Sequence, residues 1–458
     1  MRAVKIFLLG VFIISGSLSF GQDQPYLLTL AQAREYALAN NKKLLNARDG
    51  VTSSQLKIKE TVAKGLPQVD GSMSYMTYFN YEMNFSLGGS STGPDINYML
   101  LDAGDAEVLR VIGEMSKSEP IIMSDQLSGK VQLSQLIFSG QYIAGIQTAK
   151  IARKLADQSV VLNEMDVKET VTNTYFQILT SEHTLKIIAE NMKNLEEIQQ
   201  HTVNMFNAGV AEETDVDQLK ITVSQLKNSQ KALERMNQLS YNMLKFQLGV
   251  APDAKIILAD SLSLFLDALK PELALVTDFN LTENINYKLM ESQVQLSKKQ
   301  VDMSSWSYAP TLAGYYNYTY KILKTGFDLN PNQLAGINLS LPIFSSGVRK
   351  AQLSQSKVNY DIAQRNLDMV KDQLALQKTQ LLFVYQNALE NYQTQKESVA
   401  IAGRVFNSIR NKYEQGLVSS LTLTQAHGNY LSAENNYLSA VLTLLQAQTS
   451  LDKLYNKL

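Results

Sequence analysis

The chain has 458 residues, 45% of them hydrophobic and 8% aromatic, a composition that builds buried cores and argues against a disordered polypeptide. Formal net charge is −1 with no basic block, which removes the electrostatic basis for a nucleic-acid partner. There is no cysteine, so disulfides, thiolate metal ligands, a cysteine nucleophile and a lipid-modified N-terminal cysteine are all excluded.

Arg2 and Lys5 precede an apolar run from Ile6 to Ile14, and a small-residue end follows at Ser19-Phe20-Gly21. This pattern reads as a secretory signal peptide over residues 1–21, cut after Gly21. The alternative, an uncleaved anchor helix, meets an apolar core too short to span a bilayer comfortably. No later stretch approaches the ~18 consecutive apolar residues of a spanning helix. The protein is therefore expected to be exported.

Helical spacing from Leu27 to about Lys64 predicts one helix, ended by Gly65-Leu66-Pro67. The period then changes to two. Val69, Gly71, Met73, Tyr75, Thr77, Phe79 and Tyr81 oppose Asp70, Ser72, Ser74 and Asn80, which predicts a strand at about 68–82 with one greasy and one wet face. Residues 86–120 read as a long loop with a short helix near Ala106–Gly113, a segment that could fold over an outer mouth. A second strand, about 126–138, ends at Leu136-Ile137-Phe138-Ser139-Gly140.

A helical hairpin of about 140–248 follows, with Gly209 the only glycine between Gly145 and Gly249. Leu185, Ile188, Met192 and Leu195 are spaced 3-4-3, as are Val216, Leu219, Val223 and Leu226, so each arm carries a coiled-coil seam. The arm before the turn would extend roughly 100 Å. Residues 253–280 read as an equatorial linker, irregular with one short helix. Then the order restarts: a helix from Leu281 to about Trp306, strands at about 311–324 and 333–342, the matching run Pro342-Ile343-Phe344-Ser345-Ser346-Gly347, and a second hairpin at about 347–456. Its return arm has an unbroken seam from Leu423 through Ala426, Tyr430, Ala433 and Tyr437 to Leu454. The chain is two copies of one unit, at 22–252 and 281–458.

The two hairpin turns are versions of each other. Phe206 is followed by Gly209 and Val210, and Tyr413 by Gly416 and Leu417, and each turn leads through a short polar run (Glu212 to Asp215, and Ser419-Ser420) into a new helix. Such a turn is a helix stop, a glycine at positive φ, and a restart behind a polar cap.

Four strands with a lipid-compatible face cannot close a barrel, and hydrocarbon tolerates no open sheet edge. Several chains must pool their strands, and three copies supply about twelve, within the range of outer-membrane barrels. The hairpins have charged outer surfaces and must continue the barrel in water, with Ser72, Ser74, Gln132, Ser134, Asn338 and Ser340 on the wet face.

On these features, and on the tip pattern Tyr-x-x-Gly-Leu-x-Ser at Tyr413–Ser419, the chain resembles the TolC family of outer-membrane efflux and secretion channels. The resemblance implies a mainly α fold with a membrane β part: a homotrimer in which a twelve-stranded barrel in outer-membrane lipid continues as an α-helical coiled-coil barrel through the periplasm. It also implies docking to a periplasmic membrane-fusion adaptor and, directly or through it, to an inner-membrane transporter. Gly209, Val210, Gly416, Leu417 and Ser419 would be adaptor-contacting tips, and Thr214, Asp215, Tyr413, Thr422 and Gln425 would belong to a periplasmic gate. Some relatives carry pore-ringing carboxylates where this chain has Thr422 and Gln425, and an arginine that locks the gate where it has Val418.

Blander readings stand beside these. Glu212, Glu213, Asp215 and Asp217 are equally acids favoured by the positive end of a starting helix. His183, His201 and His427 show no ligand spacing, and the fifteen methionines are scattered and mostly fall on seams, where core packing accounts for them better than copper export. The tyrosines from Tyr315 to Tyr320 read as an interfacial girdle rather than a sugar platform, and Trp306 as a packing anchor. No catalytic constellation or cofactor motif appears, so the expected function is a passive duct rather than an enzyme. The alternative is an exported structural or adhesive coiled-coil protein without channel activity.

Overall fold

The computed structural model describes residues 26–79, 81–83, 121–123, 125–268, 279–323 and 331–458. The expected signal peptide, the short helix near Ala106–Gly113 and part of the linker lie outside these residues. In chain order the strands are β1 (Tyr26–Leu28), β2 (Gln68–Met76), β3 (Tyr81–Met83), β4 (Ile121–Met123), β5 (Gln126–Ser139), β6 (Ile256–Leu258), β7 (Thr311–Leu323) and β8 (Gln333–Ser340). The helices are α1 (Leu30–Asn40), α2 (Lys42–Ala63), α3 (Gly140–Asn207), α4 (Glu213–Leu248), α5 (Leu262–Asp267), α6 (Ile285–Ser305), α7 (Val348–Glu414) and α8 (Ser420–Leu454). Among the described residues no helix is long and apolar enough to cross a membrane.

The chain divides into two compact units, and each takes residues from both halves of the chain: one holds Thr52–Leu155 and Ser292–Arg365, the other the remainder. The first unit contains a four-stranded antiparallel sheet in the order β2-β5-β7-β8. Its register assembles the alternation of each strand into two consistent faces. Val69, Leu133, Tyr316 and Ala335 form one row across the sheet, and Met73, Gly129 and Tyr320 another. On the opposite face Asp70, Gln132 and Asn317 align, as do Ser72, Lys130 and Thr319. Val69, Met73, Leu133, Tyr316, Tyr320, Ile337 and Leu339 are all exposed, so the apolar face is uncovered in the single chain. Tyr315 faces away from Tyr316, Tyr318 and Tyr320, so only the even-numbered tyrosines form an apolar-face ladder.

Two strand ends differ from expectation. The strand expected over 68–82 pauses after Met76, where Phe79 takes φ 52°, and resumes as the short β3. The strand expected to reach 342 stops at Ser340, two residues before Pro342, which has no N–H to donate. At the strand-to-helix junction Gly140 is required by a close approach: a Cβ there would run into the Trp306 indole. The anchoring role expected of Trp306 is thus exerted against the first residue of α3.

The second unit is mainly helical, and among the described residues its core falls into three clusters. The largest gathers Leu30, Ala33 and Ala37 of α1, Val171, Tyr175 and Ile178 of α3, Leu244 and Leu248 of α4, and Leu438, Val441 and Leu445 of α8. Each fully buried leucine contributes about 1.5–3 kcal/mol, so seam positions rather than local propensity hold these helices.

The N-terminal helix needs correction. In place of one helix from Leu27 to Lys64, the chain begins as β1, which pairs in parallel with β6 of the linker, Tyr26 opposite Ile256. Asp260 Oδ2 accepts the Leu30 N–H at 2.7 Å and lies 2.9 Å from the Tyr175 hydroxyl, which fixes the start of α1. A second break falls at Asn41. Its backbone turns extended, its Oδ1 accepts the N–H groups of Lys43 and Leu44, and its Nδ2 donates to the Gln247 carbonyl at 2.7 Å. One residue thus ends α1, caps α2 and ties both to α4.

Candidate functional site at the hairpin tips

Both tips end in the same hydrogen-bond pattern. Gly209 takes φ 76° and Gly416 φ 73°. At the first tip the Val210 N–H donates to the Met205 carbonyl at 3.0 Å and the Gly209 N–H to Phe206 at 2.9 Å. At the second the Leu417 N–H donates to Lys412 and the Gly416 N–H to Tyr413, both at 2.9 Å. This six-to-one plus five-to-two pattern satisfies the last carbonyls of α3 and α7 only when a residue without a Cβ penalty sits at the turn. Val210 and Leu417 then stand at the apices, each 69% exposed.

The helices restart behind polar caps. Ser419 Oγ accepts the Thr422 N–H at 3.3 Å, and Asp215 Oδ2 accepts the Glu212 N–H at 3.2 Å. Two further contacts tie one hairpin to the other. Ser420 Oγ, on the first residue of α8, donates to Asp215 Oδ1 in the first turn of α4. The Tyr413 hydroxyl near the end of α7 lies 2.6 Å from Thr202 Oγ1 on α3, and both residues are buried. Burial pushes the Tyr413 phenol above its usual range, so it stays protonated at any physiological pH. Thr202 Oγ1 also lies 2.9 Å from the Ile198 carbonyl oxygen, so its hydroxyl has a second partner.

Of the expected gate residues, then, Asp215 and Tyr413 take part in contacts between the hairpins. Among the described residues the Thr214 side chain bonds Glu212, at 3.1 Å, and that of Thr422 bonds Ser419 within its own cap, neither reaching the other hairpin. Gln425 is exposed on α8. Thr202 and Ser420 were missed because a threonine inside a long helix and a serine beside a capping serine carry no signal of their own. Beneath the ties an apolar cluster of Leu195, Ile198, Leu219, Leu226, Phe406, Tyr413, Leu423 and Ala426 joins α3, α4, α7 and α8. A cleft of about 220 Å³ beside Tyr413 is lined by Glu197, His201, Arg410 and Glu414 among others. Among the described residues no group of histidine and carboxylate side chains is placed to hold a metal ion.

An amphipathic antiparallel sheet, connected in sequence to long paired helices that end in exposed glycine turns, is the architecture of an outer-membrane channel subunit. Known proteins agree. The fold matches that of the outer membrane protein VceC from Vibrio cholerae at TM-score 0.68, 14% identity, covering 93% of this chain and 95% of that one. It matches the Campylobacter jejuni CmeC outer membrane channel at TM-score 0.70 and 16% identity, covering 100% and 94%. In sequence the chain is 23% identical over 363 residues to the probable efflux pump outer membrane protein TtgC of Pseudomonas putida, covering 76% of this chain and 73% of that protein. It is 22% identical over 360 residues to the outer membrane protein TolC of Salmonella enteritidis, covering 72% and 71%. The family model of the outer membrane efflux protein matches residues 33–250 and 281–457. The chain belongs to that family, the TolC family of outer-membrane efflux channels, and its location is the bacterial outer membrane with extension into the periplasm.

Proposed function

We propose that three copies of this chain form a passive exit duct, a closed barrel in the outer membrane continued by a helical tunnel whose periplasmic end is held shut by the Asp215–Ser420 and Tyr413–Thr202 contacts. The observation that carries the reading is the sheet. Its edge strands β2 and β8 have no further partner among the described residues, while one face is mostly apolar and carries the exposed Val69, Met73, Leu133, Tyr316, Tyr320 and Ile337. An open edge in lipid leaves a row of unpaired backbone groups, each costing several kcal/mol, and a neighbouring copy is the simplest way to pair them. The helices support the same conclusion. Met369, Leu376 and Phe383 recur every seven residues along α7 and are exposed, as are Met236, Leu239, Met243 and Phe246 on α4. These are seams awaiting a partner helix.

The exposed Val210 and Leu417 at the tips are the surface on which a periplasmic adaptor would dock, with an inner-membrane pump supplying the energy. The duct itself carries no chemistry. The relatives named for efflux of antibiotics or toluene suggest small-molecule cargo, but a wide water-filled tunnel needs no substrate-shaped pocket. The test is chemical cross-linking of the protein in outer membranes together with conductance in planar bilayers. A three-chain species with measurable ion current is expected. A stable single subunit, or an assembly that never conducts, overturns the reading and favours a structural coiled-coil protein.

A further inference from the structure

Two turns into α8, His427 is 1% exposed, and neither its Nδ1 nor its Nε2 has a hydrogen-bond partner among the described residues. Its ring lies against Phe406 of α7 at a centroid distance of 5.2 Å and 55°. Phe406 in turn stacks on Tyr430 at 5.6 Å and 2°. The imidazole is therefore a titratable group packed in the apolar cluster directly beneath the two contacts between the hairpins, and nothing in the closure uses it.

The titratable and charged groups on the helices around it are otherwise engaged or directed elsewhere. Tyr430 gives its hydroxyl to Glu434 at 2.7 Å, and Glu190 of α3 acts on that same tyrosine. His201 of α3 and Arg410 and Glu414 of α7 line the cleft beside Tyr413. Asp215 of α4 holds Ser420. None of them reaches either ring nitrogen. A protonated imidazole carries two N–H donors and a charge, and an apolar site with no acceptor is among the costliest places to put them.

We propose that His427 is an acid-operated release for the hairpin tips: when its imidazole takes up a proton it leaves the Phe406 pocket for water, and the contact between the two hairpins loosens with it. For the gate the proposal rests on the reading of the tips as the closed end of a duct; for the tips alone it rests only on the packing. Burial holds the imidazole down at about 4, against the ordinary 6.5. The sign follows from linkage. Above pH 6.5 packed and released forms are both neutral, and the packed form keeps its full advantage. As pH falls from 6.5 towards 4 only the released form binds the proton, and the packed-to-released ratio drops about tenfold for each pH unit. Below about 4 both forms are protonated and the ratio changes no further.

Because the chain contains no cysteine, spin labels can be placed at V210C and L417C on the exposed apices of the full-length assembled protein, diluted with unlabelled chains. Pulsed EPR distances should lengthen or broaden between about pH 7 and about pH 4.5, the window in which one-proton linkage acts. They should stay at their neutral-pH values in H427L and H427Q, which cannot take up the proton. An acid response that persists in both variants, or no response in the parent protein, overturns the proposal. Should H427L fail to assemble, H427Q and ring NMR of isotopically labelled histidine decide together: titration of His427 at the ordinary histidine value, or a tip response that persists in H427Q, overturns the proposal, and titration well below that value with the tip response lost in H427Q supports it. The labels report the tips whether or not the assembly conducts. Absence of current at every pH would therefore count against the duct and leave this inference standing.

Discussion

Tyr413 and Asp215 each hold a partner more than two hundred positions away in the chain, Thr202 at 211 residues and Ser420 at 205. Each partner is an ordinary small polar residue, and its role comes only from what faces it. The chemistry predicts unequal losses. In Y413F the Thr202 hydroxyl keeps its other acceptor, the Ile198 carbonyl, so no buried group is orphaned and the cost is about 0.5–1.5 kcal/mol. In D215A the first turn of α4 loses the acceptor of both the Glu212 N–H and the Ser420 hydroxyl, and the cost is about 1–3 kcal/mol. The double variant should raise channel conductance in planar bilayers above either single one. Unchanged conductance would remove both residues from the gate. The family resemblance pointed to Asp215 and Tyr413, whereas His427 looked like an isolated histidine, since burial belongs to the assembled cluster and not to its neighbours in sequence.

Elements were legible where their signal is local. Seams such as Leu423, Ala426, Tyr430 and Tyr437 depend only on spacing along one helix, and the turns at Gly209 and Gly416 only on a glycine before a polar run. G416A should therefore cost about 1–2 kcal/mol from the left-handed conformation alone. Hydrogen exchange should show the loss as faster opening in the last turn of α7 and the first of α8, with the sheet unaffected. L444A, in the fully buried seam of α8, should cost about 2–5 kcal/mol and lower the thermal midpoint of the whole helical unit. The break between α1 and α2 was not legible. The apolar period runs through it, and Asn41 ends the helix because its side chain finds the carbonyl of Gln247 and the backbone of Leu44.

For the whole molecule, the decisive feature is the pairing of strands far apart in sequence so that their alternations agree. Val131 opposite Gly71 and Tyr318, and Gln132 opposite Asp70 and Asn317, make one face fit for lipid and the other for water. Neighbouring residues in β5 should therefore respond oppositely to the same change. In the barrel proposed above, L133K places a charge on the face that meets lipid and should cost up to about 2–4 kcal/mol, whereas Q132K on the opposite face should cost little. Heat-modifiable migration of the assembled species on gels would register the difference. Equal behaviour of the two variants would contradict the assignment of the faces.

Period-two alternation, heptad spacing and glycine turns are short-range properties, and they determined the four strands of the main sheet, the long helices and the order in which these follow one another. Which strands pair, where β1 finds β6, what caps α2, and which threonine and serine join the hairpins are long-range matches between residues that are each unremarkable alone. Only the folded chain decided those, because a hydrogen bond or a buried contact needs both partners in place, and no local pattern names the second.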